Sequence, residues 1–161
     1  MTPALTLDSV TVGDALPELT YDVTATTVVV GALATRDWRP QHHDYHFATE
    51  RNGVRDIFIN APNQAAWFER YITDWTGPHG RLGKVGFRMK DSVFPGDTMT
   101  LRGTVTDVSV DDTGCGWVSL DLTMHADDRL ATTCTARVAI PTSADDNPWT
   151  RRGESWHPEQ A

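Results

Sequence analysis

The second half of the chain alternates between apolar and polar positions, which is the pattern of β-strands with one buried face. This two-residue period runs through 85–90, 99–105, 118–124 and 130–140. Short turns rich in Asp and Gly separate these segments. The pattern predicts four antiparallel strands joined by tight connections.

One earlier segment has the spacing of a helix instead. Its apolar positions form a single stripe from Ala65 to Trp75. Pro62 suits the first helical turn, and Gly77, followed by a proline, suits the end of the helix. A long apolar helix before a run of antiparallel strands predicts an α+β fold with the sheet wrapped on the helix.

Two further segments complete the division of the chain. Thr24–Thr35 contains three consecutive valines, so propensity favours a strand, although its apolar spacing also fits a short helix. Residues 142–161 are polar and lack periodicity. We therefore predict one domain over 1–141 and a C-terminal tail over 142–161, with Trp149 and Trp156 as the residues that dock it.

Composition narrows the class of protein. With 161 residues the chain fits one domain, and a net charge of −8 argues against nucleic-acid binding. No apolar run reaches the ~20 residues of a membrane span. Met1–Val10 lacks a basic head, so we expect no secretory signal and a cytoplasmic location. Cys115 and Cys134 form no disulfide framework and are expected to be reduced.

The densest polar cluster follows the valine-rich segment. Asp37 and His42 lie five residues apart with Pro40 between them. A carboxylate and an imidazole that converge on one water can share the removal and return of a proton. The residues alone also allow a solvated or capping loop.

A metal site is the alternative interpretation of this cluster. The possible ligands are His42, His43, Asp44 and His46. Adjacent histidines usually point apart, and no Cys or Glu nearby completes a ligand set. We therefore expect no metal.

The order of motifs resembles that of a known family. Asp37-x-x-Pro40-x-His42, then the apolar helix, then Phe94-Pro95-Gly96-Asp97, is similar to the MaoC-like hydratases of the (R)-hydratase type. The resemblance spans roughly residues 13–141. Within this family the chain most resembles the small catalytic subunit of bacterial steroid side-chain enoyl-CoA hydratases. The segments that carry this closer resemblance are Ala32–Asp37, His42–Asp44, Asp56–Phe58 with Asn60, and Arg70–Trp75.

The resemblance implies a hot-dog fold, in which an antiparallel sheet wraps around a long central helix and a second helical segment overhangs the site. Thr24–Thr35 then becomes that overhanging helix. It also implies a homodimer, or a heterodimer with a second MaoC-like protein. The implied reaction adds water to a trans-2-enoyl thioester, with Asp37 and His42 as catalytic residues. Coenzyme A would enter as part of the substrate, with no separate cofactor.

The resemblance also implies roles for other residues. The family has His-Gly at the start of the central helix, where a backbone N–H binds the thioester oxygen. Here Pro62-Asn63 occupies about that place, and the N–H of Asn63 is the expected donor. Arg39 replaces the usual asparagine before the proline. The expected substrate-binding residues include aromatic groups for the acyl part and cations for the phosphates of coenzyme A: Trp38, Asn60, Trp67, Arg36, Arg81, Lys84 and Arg88.

Two other functions fit a hot-dog chain. A thioesterase would place a carboxylate on the central helix, where only Glu69 and Asp74 are available, both past the first turn. A non-catalytic subunit would only shape a partner's pocket. The presence of both Asp37 and His42 argues against that second alternative.

Overall fold

Five antiparallel strands form one sheet in the order β1-β3-β4-β5-β2. The computed structural model describes residues 5–159; residues 1–4 and 160–161, the ends of the predicted domain and tail, lie outside the described residues. The elements in chain order are β1 (Leu19–Asp22), α1 (Ala25–Ala34), α2 (Ala61–Thr76), β2 (Arg81–Met89), β3 (Thr98–Val110), β4 (Gly116–Ala126) and β5 (Arg129–Ala139). The four strands predicted from alternation are confirmed as β2 to β5.

Helix α2 supplies the centre of the core. Phe68 and Ile72 are fully buried and belong to one apolar cluster with side chains of β3 and β4 such as Leu101 and Leu120. Gly77 ends the helix with a φ of 69°, a left-handed backbone conformation that suits glycine. The predicted α+β hot-dog fold, with its sheet packed on a long central helix, is confirmed.

Residues 25–34 are helical, as the family resemblance implied and against the propensity of the three valines. Thr24 caps the helix, since its hydroxyl accepts the backbone N–H of Thr27 at 3.1 Å. Val28 and Ala32 are buried on one face. Tertiary packing of that face outweighs the weak preference of valine for strands.

The Phe94–Asp97 turn anchors the segment that leads into α2. Asp97 is buried, accepts the backbone N–H of Phe94 at 2.9 Å, and pairs with Arg129 at 2.9 Å and with Arg55. Just before the turn, the carbonyl of Val93 accepts the N–H of Ile59 at 2.9 Å. The motif is therefore structural, and it fixes the backbone immediately before α2.

Residues 142–159 pack against the start of β2. The Arg81 guanidinium lies 3.6 Å from the ring centroid of Trp156 and donates to the carbonyl oxygens of Pro148 and Arg151 at 3.2 and 3.0 Å. The Trp156 ring lies 4.9 Å from that of Trp117 in β4. Trp149 stays half-exposed and donates its indole N–H to the carbonyl of Gly80. Across residues 5–159, no helix is both long and apolar enough to span a membrane.

Candidate active site

Asp37 and His42 face each other in the loop that follows α1. Asp37 Oδ2 lies 3.5 Å from His42 Nε2. The backbone N–H of Asp37 donates to the carbonyl of Ala32 at 2.9 Å, which holds the aspartate at the end of α1. A short 3-10 turn over Pro40–His42 then returns the chain toward Asp37. Because 3.5 Å is long for a direct hydrogen bond, one water can be shared by the two groups.

The orientation of the His42 ring is set by the segment before α2. Its Nδ1 lies 2.8 Å from the carbonyl oxygen of Phe58, and the Phe58 ring packs edge-on against the imidazole at 4.8 Å. A carbonyl only accepts, so Nδ1 carries the proton. In the neutral ring the lone pair then lies on Nε2, the nitrogen that faces Asp37.

Asn60 holds the Asp37 carboxylate. Its Nδ2 donates to Asp37 Oδ2 at 3.0 Å and to the Thr35 hydroxyl at 2.8 Å. The hydrogen bond from Asn60 lowers the pKa of Asp37; burial opposes this, and a hydrogen bond from the backbone N–H of Arg39 adds to the lowering. The carboxylate is therefore ionised near neutral pH, as a proton acceptor must be. Asn60, predicted to bind substrate, has its amide N–H groups committed to Asp37 and Thr35.

A cavity of about 310 Å³ opens in front of this pair. Its walls come from the loop that follows α1, from the start of α2 and from the segment that follows β2. The residues that line it are Asp37, Arg39, Gln41, His42, Phe58, Ile59, Asn60, Ala61, Gln64, Met89, Lys90, Asp91 and Ser92. The free N–H groups at a helix start make that end partly positive, so the cavity suits an oxygen that gains negative charge.

Of the first residues of α2, Ala61 rather than Asn63 faces this cavity. Ala61 is the first helical residue and lines the cavity, whereas Pro62 has no N–H. Asn63 is buried against α1: its Nδ2 lies 1.9 Å from where a Cβ on Gly31 would stand. Asn63 lines a different cavity, between α1 and α2. The structure therefore places Ala61 at this cavity, whereas Asn63, the expected source of the oxyanion donor, does not line it.

The sequence and the structure of the chain were compared with those of known proteins. No family model matches the chain. The chain is 40% identical over 98 residues to the 3-oxo-4,17-pregnadiene-20-carboxyl-CoA hydratase beta subunit of Mycobacterium tuberculosis, an alignment covering 61% of this chain and 75% of that protein. A chain of the ChsH1-ChsH2 complex from M. tuberculosis superposes with a TM-score of 0.73 at 32% identity, over 81% of this chain and 98% of that one.

The chain belongs to the MaoC-like hydratase family. Its fold alone is further matched by the (R)-hydratase from A. caviae involved in PHA biosynthesis, with a TM-score of 0.73 at 24% identity over 83% of this chain and 98% of that one. In this MaoC-like hydratase, the remaining predicted site residues, which are cations and aromatic residues, lie in different parts of the structure.

The cations predicted for the phosphates of coenzyme A are not gathered at the cavity. Arg81 is bonded to the C-terminal segment, and Lys84 pairs with Glu159. Arg88 is exposed on β2, and Arg36 is exposed with a φ of 55°. These four residues do not line the cavity, and their binding of coenzyme A stays a prediction. The cations that do line it are Arg39 and Lys90.

The aromatic residues expected to contact the acyl group, Trp38 and Trp67, lie apart from each other. Trp38 is 65% exposed and does not line the cavity. Trp67 lies 4.7 Å from the Tyr21 ring and lines the separate cavity of about 410 Å³ between α1 and α2. Phe68 and Tyr71 belong to the core of this MaoC-like hydratase. The structure therefore does not bring Trp38 and Trp67 together at one cavity, and their contact with the acyl group stays a prediction.

Other reactive groups lie away from the site of this MaoC-like hydratase. Glu69 and Asp74, the carboxylates a thioesterase would need, are exposed and lie outside the cavity. Burial raises the pKa of the free thiols of Cys115 and Cys134 to about 11 and about 12, which makes them poor nucleophiles. Within residues 5–159, no group of three or more His, Cys, Asp or Glu side chains is placed to hold a metal ion.

Gln64 is a polar residue of the cavity that sequence reasoning missed. Gln64 is only 1% exposed although it is polar, and it lines the cavity together with Ala61. The signal was available: position 64 falls on the same helical face as Phe68, where an apolar residue is expected. A polar residue on a buried stripe calls for a partner or a function.

Proposed function

We propose that this chain is the catalytic subunit of an enoyl-CoA hydratase, which adds water across the double bond of a trans-2-enoyl thioester. The observation that carries the proposal is the 3.5 Å approach of Asp37 Oδ2 and His42 Nε2 at a cavity shared with the start of α2. The relative named as a hydratase subunit, at 40% identity, supports the same reaction.

The reaction begins with a water held between Asp37 and His42. Asp37, held ionised by Asn60, takes a proton from this water as its oxygen bonds to the β-carbon. The π electrons of the alkene move through the α-carbon onto the thioester oxygen. The Ala61 N–H and the positive end of α2 stabilise the charge on that oxygen. When the carbonyl re-forms, the electron pair takes up a proton at the α-carbon, delivered through the same Asp37 and His42 pair.

We propose a bulky acyl group, of the steroid side-chain class, as the substrate. The support is the name of the M. tuberculosis relative, which is a pregnadiene-carboxyl-CoA hydratase subunit. Arg39 and Lys90, at the cavity, are the candidates to bind the phosphates of coenzyme A.

We propose that the chain pairs with a second hot-dog protein along β2. Strand β2 is at one end of the sheet and carries the half-exposed side chains of Phe87 and Met89. Such an edge can accept another strand. The similar chain in the ChsH1-ChsH2 complex supports an unlike partner.

The deciding experiment replaces Asp37 by Asn in the chain assembled with its partner. Hydration of a steroid enoyl-CoA should fall by roughly 10²–10⁴, the usual contribution of a positioned acid or base. Thermal unfolding of the variant, and its assembly, should be nearly unchanged. If Asp37→Asn retains near-wild-type hydration within the assembly, this chain is a scaffold and the partner holds the catalytic groups.

A further inference from the structure

The catalytic cavity contains a buried amide that the mechanism above does not use. Gln64 lies in the second turn of α2 and is 1% exposed. The hydroxyl of Thr132 in β5, itself fully buried, donates to Gln64 Oε1 at 2.5 Å. That bond occupies the Oε1 end of the amide and leaves the Nε2 end for another partner.

Within residues 5–159, no protein acceptor bonds to Gln64 Nε2. Because the rest of the side chain is buried and the residue lines the cavity, the acceptor of this N–H group is expected to be water or a ligand there. Because Gln64 lines the cavity that holds Asp37 and His42, the ligand of that cavity is the natural acceptor.

The position of Gln64 on the helix identifies the ligand atom. Ala61 and Gln64 are three residues apart, so they lie on the same face of α2. Helical side chains lean toward the N-terminus, so the Gln64 side chain extends back over the turn that contains Ala61. The side-chain N–H of Gln64 and the backbone N–H of Ala61 therefore converge on one region of the cavity.

We infer that Gln64 Nε2 is the second donor of the oxyanion hole and binds the thioester oxygen together with the Ala61 N–H. This inference rests on the proposed function. As the water oxygen bonds to the β-carbon, the alkene π pair moves onto the thioester oxygen, and both N–H groups bond more strongly to it. Protonation of the α-carbon then re-forms the carbonyl. The hydroxyl of Thr132 holds the other end of the amide, Oε1.

Two substitutions separate this role from a structural one. Gln64→Glu keeps the oxygen that accepts from Thr132 and replaces the N–H donor by a second acceptor. Gln64→Met removes both polar ends at nearly constant volume. With a steroid enoyl-CoA and the full-length chain in its assembly, kcat should fall roughly 10²-fold for each, with a smaller change in KM. Thr73→Ala, on the exposed face of α2, is the matched control.

A spectroscopic measurement tests the contact directly. In an Asp37→Asn background the bound enoyl-CoA stays unreacted, and polarisation of its conjugated carbonyl shifts its absorbance to longer wavelength. Adding Gln64→Met or Gln64→Glu should reduce that shift, and a simple packing role would leave it unchanged. If one variant fails to fold, as judged by thermal unfolding, the other still supplies the comparison.

The outcomes keep the two proposals apart. Suppose that Asp37→Asn loses hydration, while the Gln64 variants keep the full absorbance shift and an undiminished kcat. That result overturns the role of Gln64 and leaves the proposed hydratase reaction standing. An assembly that binds the enoyl-CoA with its absorbance shifted but does not hydrate it overturns the proposed reaction. Dependence of that shift on Gln64 would still support the contact.

Discussion

Asn60 links the fold to the chemistry through a single amide. It is the residue before the first turn of α2, and its Nδ2 donates to both Asp37 and Thr35. The start of the helix, the end of α1 and the catalytic carboxylate are therefore held by the same group. The pair Asp37 and His42 was predicted from the family resemblance, whereas Asn60, 23 positions from Asp37, was recognised only as a possible substrate contact.

Replacing Asn60 by Leu should raise the pKa of Asp37, because the largest influence that lowers it is lost while burial remains. A base works only when ionised, so the acidic limb of the kcat/KM profile should move to higher pH. At neutral pH kcat/KM should fall about tenfold, the value of one hydrogen bond to a charged group. The exposed Asn52→Leu serves as the control; an acidic limb that stays in place for Asn60→Leu contradicts the role of Asn60.

A second carboxylate stabilises the fold far from the site. Asp111 accepts hydrogen bonds from the backbone of Cys115 at 2.9 Å and from the Trp117 indole at 2.8 Å. Burial alone would raise its pKa, but the hydrogen bonds from Thr113, Trp117 and Cys115 bring it down to about 2. The folded protein thus holds this proton less tightly than the unfolded chain, whose value is 3.8.

Asp111→Asn should therefore lower the free energy of unfolding near pH 7 by about 1–2 kcal/mol. The sign follows from the lowered pKa: the stabilisation is complete above the unfolded value and is lost as pH falls toward 2. Denaturant titrations of both proteins at pH 7 and at low pH measure the difference. If the difference in free energy of unfolding between the two proteins stays constant down to pH 2, the charge of Asp111 is not the source of the stabilisation.

At the scale of elements, α1 and α2 meet where a glycine faces a buried asparagine. A Cβ on Gly31 would lie only 1.9 Å from Asn63 Nδ2. This close approach holds α1 against the first turns of α2. The loop that carries Asp37 and His42 begins where α1 ends. The sequence could not settle α1, because three valines favour a strand and the glycine that allows the approach has no recognisable pattern.

Gly31→Ala should destabilise the protein, although alanine is normally the better helix former by about 1 kcal/mol. Overpacking against Asn63 should cost about 1–3 kcal/mol in the free energy of unfolding. Adding Asn63→Ala should recover most of that loss, measured by urea denaturation of the single and double variants. Gly86→Ala is the control, because its nearest neighbour is Thr135 Oγ1 at 3.6 Å. A stabilising Gly31→Ala would contradict the close packing.

At the scale of the whole molecule, the sequence predicted the elements that have a clear local periodicity. It did not predict side-chain partners that are distant along the chain. Strands β2 to β5 and helix α2 followed from spacing, whereas the four residues of β1 are too few to show a period. Arg81 was expected to bind a phosphate of coenzyme A. Its actual partners, Pro148 and Arg151, are 67 and 70 residues away, and no local signal indicates them.

Assembly should depend on β2. Among the described residues, no strand pairs with the outer edge of β2, which carries Phe87. Phe87→Lys places a charge on this edge, and charged edges resist strand addition. The variant should therefore lose mass relative to the wild-type assembly in native mass spectrometry, while Val110→Lys, at an exposed site in β3, should not. An intact assembly with Phe87→Lys would exclude pairing along this edge.

The chain that leaves β2 at Met89 continues directly into the wall of the cavity through Lys90, Asp91 and Ser92. A protein that adds its own strand to this border would also become a neighbour of the substrate. The identity of the partner protein would then determine how large an acyl group the enzyme accepts. Selectivity in such a system can evolve in a different polypeptide, while Asp37 and His42 stay as they are.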